Sequence, residues 1–400
     1  MEEYVRVDKM DGRDDAEQIQ NAVAEAKRTG VNRIVVPQRN ERTGREIWDI
    51  SHTIYLPSDI EVVLYNAHLR LADNSFCNMF SNENILHGIA RTKDGEQRNI
   101  RIHGIGNAIL DGGEYNGLSE RNSEKDGLPS ILVNTTLLFF NVSNLCVENL
   151  SIINQRWWGM TNIFVRDSVF RGIRFEADLS WVDENGVHHP EGFSRDRGEI
   201  YVRNADGIDL RIGCHDIRIE NISGFTEDDT VALTALGGFE RQNGLIVEGE
   251  PCDIHDVKIR NVASDSHVCA VVRLLNDEGN KLYNIDIDGV THMRCGKHND
   301  KARYVIRIGD MAYANEHSTL GDTHHISIRN VFSHGTYAIS LCKGLSDSTI
   351  DNVVVASDGN YGFGGVENGR AVIKNVRFGD FFLLSENASA FREGSFAEEE

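Results

Sequence analysis

The strongest constraint on how this chain can fold is a phrase that keeps returning along it. Asn144-Leu145-Cys146-Val147-Glu148-Asn149-Leu150 comes back as His215-Asp216-Ile217-Arg218-Ile219-Glu220-Asn221-Ile222 and as Asp256-Val257-Lys258-Ile259-Arg260-Asn261-Val262. His325-Ile326-Ser327-Ile328-Arg329-Asn330-Val331 and Thr349-Ile350-Asp351-Asn352-Val353 are further copies. Their Asn positions lie 72, 40, 69 and 22 residues apart, which approximates multiples of a rung of roughly 22 to 24 residues once loops are allowed for. Each copy alternates apolar and polar residues as a half-buried strand does, and ends on Asn, a residue that turns corners. Stacking such rungs buries a continuous core. The expectation is all-β: a single-stranded, right-handed parallel β-helix. A sandwich or propeller does not explain single strands recurring with one phrase.

An open coil exposes an apolar cross-section and unpaired strand edges, so it needs a cap. In the segment that begins at Asp11, the residues Ile19, Ala22, Val23 and Ala26 follow helical spacing. Asp14 and Glu17 make a capping box, and Gly30 ends the run. The amphipathic helix from Asp15 to about Thr29 fits that duty. Arg33-Ile34-Val35-Val36-Pro37 reads as the first strand, and from Ile47 onward no second helix is legible. The chain therefore reads as one domain, 1–400, with a cap region at 1–37 and a flexible acidic tail over about 390–400. Stretches 176–203 and 236–252 break the period and are expected as loops over one flank.

A formal net charge of −21 repels phosphate backbones, which argues against nucleic acid as a partner. No apolar run approaches the roughly 18 residues of a membrane span, so no membrane partner is expected. The charged start Met1-Glu2-Glu3-Tyr4-Val5-Arg6 lacks a secretory pattern, which gives a cytoplasmic expectation. The seven cysteines are scattered without metal-ligand spacing, and they read as reduced thiols. Cys146 and Cys269, inside apolar strand patterns, read as small core residues. Neither a cofactor nor a metal is expected, and the oligomeric state is open, a homo-oligomer included.

The densest acidic constellation is Asn204-Ala205-Asp206-Gly207-Ile208-Asp209 followed by Glu227-Asp228-Asp229-Thr230. Asp206 and Asp228 are 22 residues apart, about one rung, which predicts equivalent places on coils about 5 Å apart. Like charges so close resist joint ionisation, so one carboxyl should hold a proton near neutral pH. Glycoside hydrolysis needs a protonated acid for the leaving oxygen and an ionised partner to activate water. The plainer alternatives are turn-capping aspartates or a calcium site.

These motifs resemble the polygalacturonase-like enzymes of glycoside hydrolase family 28, within the wider pectin-lyase-like superfamily. That family carries Asn-Thr-Asp-Gly-x-Asp, then Asp-Asp, Gly-His-Gly and Arg-Ile-Lys. Asn204 through Asp209 matches the first with Ala for Thr, and Asp228-Asp229 matches the second. The resemblance implies Asp228 as general acid, with Asp206 and Asp229 positioning and deprotonating water in an inverting reaction, and Asn204 and Asp209 beside them. Gly104-Ile105-Gly106 through Leu110-Asp111-Gly112-Gly113 and the region around Asp11-Gly12 extend the likeness over most of the chain.

The later motifs depart from the pattern. Ser266-His267-Val268 keeps the histidine of Gly-His-Gly without its glycines, and Arg307-Ile308-Gly309 lacks the lysine and is followed by Asp310. One cation lost and one anion gained argue against galacturonate, and so against polygalacturonan as substrate. A lone His beside a strand is more often structural, and the plain reading of Arg307 is an outward ion pair. Trp158, of the pair Trp157-Trp158, and Trp181 are candidate sugar-stacking walls. Each could equally pack as core. His188-His189 reads as loop, since adjacent histidines point apart and no third ligand is apparent.

The function these features predict is an exo-acting, inverting glycosidase on a short oligosaccharide or glycoside. Its catalytic residues are Asp206, Asp228 and Asp229, and its substrate-binding residues are Asn204, Asp209, His267, Arg307, Trp158 and Trp181. A β-helix lyase or fructan transferase is the second reading; a lyase needs a base, for which only Arg273 and Arg307 stand near. A non-catalytic carbohydrate-binding solenoid is the third.

Overall fold

A computed structural model describes residues 3–73, 75–113, 135–178, 181–182, 188–189, 206–277, 279–295, 302–310, 318–365, 370–394 and 396–399. These fall into two compact units, Met1–Asn162 with Ser168–Gly207 and Ile163–Asp167 with Ile208–Glu400. Both are built from parallel strands, and the fold class is the right-handed parallel β-helix with an N-terminal capping helix.

In the first unit Val5, Ile34, Val62, Ile102 and Val147 follow one another in register on successive strands. The last four are fully buried. Adjacent residues along a strand face opposite ways, so Arg33, Glu61 and Arg101, each one place before a buried residue of that row, form an outward row. Glu61 bridges the two cations, with Arg33 Nε at 2.5 Å and Arg101 Nη1 at 3.0 Å.

The helix runs Asp15–Thr29 and buries Ala16, Ile19, Ala22, Val23 and Ala26 against this unit. Asp14 Oδ1 accepts the Glu17 N–H at 2.8 Å. The return arm of the capping box lands one residue early, since Glu17 Oε2 accepts from the Arg13 N–H rather than from Asp14. Gly30 ends the helix at φ 71°, a left-handed conformation that glycine adopts without the strain an L side chain would bring. Arg33–Pro37 is the second strand, because the two-residue strand Val5–Arg6 pairs alongside it. Among the described residues no helix is long and apolar enough to cross a membrane.

In the second unit Ile219, Ile259, Ile287, Ile328 and Ile350 form one core row. Each is at most 1 % exposed, and burying one such side chain contributes on the order of 1.5–3 kcal/mol. The corner asparagines are left-handed, with φ between 50° and 59° at Asn221, Asn261, Asn330 and Asn352. Asn and Gly tolerate this region where other side chains crowd the following carbonyl. The register also resolves the uneven intervals. Asn221 and Asn261 are one rung apart, with the 236–252 loop inserted between them. Gly289 stands at the corner between Asn261 and Asn330, with φ 79°.

Three expectations are corrected. A short helix, Gly238–Gln242, lies inside the 236–252 loop, held where Arg211 Nε meets the buried Glu240 carboxylate at 2.6 Å. His188–His189 is not loop: it pairs antiparallel with Trp181–Val182. The end of the chain is not a free tail. Ser389–Phe391 and Phe396–Glu398 are strands paired to Tyr361–Gly365 and Ala371–Phe378. Phe396 is drawn in by ring contacts with Phe363, Phe378 and Phe391.

Candidate active site

Asp228 and Asp229 occupy the corner between the strands His215–Thr226 and Val231–Ala235 of the second unit. A chain of hydroxyls fixes this corner. The Asp228 carbonyl accepts from Thr226 Oγ1 at 2.7 Å and from Ser266 Oγ at 2.8 Å. Thr226 Oγ1 is 3.0 Å from Thr230 Oγ1, which is 2.9 Å from Ser264 Oγ. The next rung clamps the same turn through its backbone, with the His267 N–H donating to the Thr226 carbonyl at 3.0 Å and Val268 to Glu227 at 2.9 Å.

The Asp228 side chain is half-buried, whereas Asp229 is only 6 % exposed. Asp229 Oδ1 accepts the Ala270 N–H at 3.0 Å. Burial pushes the Asp229 carboxyl up to about 6, and the neighbouring Asp228 charge pushes the same way. Arg273, Cys269 and the Ala270 N–H pull against that rise.

Arg273 is the hub of the charged groups. Its Nη1 lies 3.0 Å from Cys269 Sγ and 3.7 Å from Asp229 Oδ2, and its Nη2 donates to Asp310 Oδ2. Arg307 Nη2 reaches the same Asp310 oxygen at 3.1 Å, and its guanidinium packs 4.8 Å from the Tyr304 ring centroid. Burial and the two aspartates raise the Cys269 thiol well above its ordinary range, so it stays protonated. One ligand atom each of Asp228, Asp229 and Cys269 lie within 4.8 Å of one another, a set that could hold a cation. The Arg273 guanidinium already brings positive charge to both Asp229 and Cys269, so a metal ion would have to compete with it.

Of the residues singled out in the sequence, the structure gathers Asp228, Asp229, the His267 backbone and, through Asp310 and Arg273, Arg307. Asp206 belongs to the first unit, 9 % exposed, its N–H donating to the Trp157 carbonyl at 3.0 Å. Asp209 is fully buried in the second unit, and it heads a row that continues through Ala232, Arg273, Arg307 and Ser340. The rung here is 23 residues, set by Ile208 pairing with Val231, rather than 22. Trp158 is half-buried at the start of Trp158–Glu176. Its neighbour Trp157 is the buried member, 3 % exposed, held at φ 52°. Asn204 and the Trp181 side chain lie outside the described residues.

Thr226 and Cys269 enter the site unannounced by the sequence. Cys269 is buried as expected of a core thiol, yet its sulfur faces Arg273 and Asp229. Arg273 does not fit the role of a base, since its buried pairing with Asp310 keeps it charged. A signal was available in its strand, where Arg273 is the one charged residue of Ala270–Asn276.

The fold is one shared with polygalacturonases and other β-helix proteins. The endo-xylogalacturonan hydrolase of Aspergillus tubingensis superposes with a TM-score of 0.59 at 14 % identity, covering 96 % of each chain. A hyperthermoactive exopolygalacturonase from Thermotoga maritima gives 0.54 at 17 % identity, over 95 % of this chain and 92 % of that one. A tailspike mutant of E. coli bacteriophage HK620, in complex with a pentasaccharide, gives 0.58 at 12 % identity, over 99 % of this chain and 65 % of that one. No protein-family model and no curated sequence matches the chain. At these identities the likeness is one of fold, and endo and exo enzymes share it.

Proposed function

We propose that the protein is a glycosidase whose acid–base chemistry is carried by Asp228 and Asp229. The observation behind this is the adjacent carboxyl pair, in which burial and the neighbouring Asp228 charge raise Asp229 to about 6. Asp228, the more exposed member, is the one placed to meet a leaving oxygen; its backbone is fixed by two hydroxyls, so little motion accompanies proton transfer. Asp206 joins the reaction on the strength of its Asn-Ala-Asp-Gly-Ile-Asp phrase, positioning water with inversion as the outcome. Carbohydrate is the partner class, in keeping with the hydrolase and pentasaccharide-bound folds above.

Exo action on short substrates is part of the proposal, resting on the insertion 176–203 just ahead of Asp206 in sequence. Cytoplasmic residence, also proposed, would make imported fragments the natural supply. The test is a panel of nitrophenyl glycosides and short oligosaccharides on wild type and Asp228→Asn, which keeps the shape but removes the acid. A loss of about a hundredfold or more in kcat supports the assignment. Undiminished turnover rejects it, and release of mid-sized fragments from a long polymer rejects exo action.

A further inference from the structure

We propose that Asp310 makes this site selective for uncharged sugars by occupying the two guanidinia that an acidic sugar would otherwise bind. The inference rests on the glycosidase reading and names its substrate class. Arg273 and Arg307 stand on successive strands as register partners, and Asp310, three residues beyond Arg307, turns back between them. Both arginines converge on one oxygen, Asp310 Oδ2. Arg273 is 5 % exposed and Asp310 6 %, so water and salt screen the trio weakly.

Guanidinium groups recognise carboxylates by directed, charge-assisted hydrogen bonds. Here the chain supplies its own carboxylate. Among the described residues, Asp229 and Asp310 pair with Arg273, and Asp310 pairs with Arg307 as well. An incoming carboxylate therefore meets no surplus of positive charge and finds both cations committed. A sugar hydroxyl needs no free cation, because discrimination of this kind acts on charge rather than shape. Asp310 is a specificity-determining residue in this scheme and takes no part in bond cleavage.

The experiment compares matched nitrophenyl pairs, galactoside with galacturonide and glucoside with glucuronide, on wild type, Asp310→Asn and Asp310→Glu. Wild type should favour the neutral member by about tenfold or more in kcat/KM. Asp310→Asn should shift that ratio toward the uronide by about ten- to a hundredfold, the scale of one charge-assisted contact. Asp310→Glu, which keeps the charge, should stay with the neutral sugar. A merely structural role would depress both members alike and leave the ratio unmoved, which overturns the proposal. A wild-type preference for uronides also overturns it and needs no folded variant. If no glycoside is hydrolysed by any form, the glycosidase reading fails separately. Calorimetric binding of galactose and galacturonate to wild type and Asp310→Asn then decides the role of Asp310, and no gain in galacturonate binding rejects it.

Discussion

Asp229→Asn should make the protein more stable above pH 6 while disabling it. In the folded chain the Asp229 carboxyl is raised from 3.8 to about 6, net of the attraction of Arg273. A raised carboxyl contributes stability that is fully present below the unfolded value and is lost as pH rises through the folded one. The gap corresponds to ~3 kcal/mol, the cost of ionising this buried group at neutral pH. Asparagine is uncharged, nearly the same shape, and keeps an oxygen for the Ala270 N–H that Asp229 Oδ1 now accepts at 3.0 Å. The difference in unfolding free energy, variant minus wild type, should therefore be flat below about pH 4. It should climb between about pH 4 and 6 and level off ~3 kcal/mol higher. Urea denaturation at constant ionic strength measures it. Far-UV circular dichroism is the probe of choice, since Trp48, Trp157, Trp158 and Trp181 all belong to the first unit and Asp229 to the second. A difference that does not vary with pH, or that shrinks as pH rises, refutes the assignment of a strained, proton-holding carboxyl here.

Ser266→Ala and Thr226→Val each remove one of the two hydroxyls on the Asp228 carbonyl. Each should lower kcat by roughly fivefold to tenfold with KM little changed, the scale of one net hydrogen bond near 1 kcal/mol, and steady-state kinetics on any active glycoside would show it. Asn261→Ala should cost roughly 1–2 kcal/mol because Asn261 sits at φ 54°, where a Cβ without a compensating polar group is strained. Asn261→Gly at the same corner should be close to neutral, and thermal melts of the two variants side by side provide the check; equal losses would mean that the left-handed corner is not what the asparagine supplies.

Much of the fold was legible because a solenoid repeats its local chemistry. The asparagines at 221, 261, 330 and 352 mark corners since each needs positive φ, and the isoleucines two residues before Asn221 and Asn261 are the buried rows. The end of the chain was misread for the complementary reason. Glu398 and Glu399 are exposed and look like a solvated tail, yet Phe396, two residues earlier, is held by three other phenylalanines. Composition reported the outward residues, and packing followed the inward ones.

The site was legible only where its residues are neighbours in sequence. Asp228-Asp229 can be read as an interacting pair from two adjacent letters, because no register is needed to bring them together. Arg273 and Arg307 are partners in space although 34 residues apart, and Ala232 precedes Arg273 by 41, while the next rung pairs Ser340 after 33. Loops of unequal length between regular strands blur the period just enough to hide which outward residues stack. Asp310 illustrates the consequence. In sequence it is an anion placed beside Arg307, which argues for a weakened cationic site. In the fold the same residue links Arg307 to Arg273, and the pair of cations persists with its charge satisfied from within. The distinction is physical and not merely descriptive: a missing cation cannot be restored by removing an acid, whereas two cations held by an internal carboxylate are released when that carboxylate is neutralised.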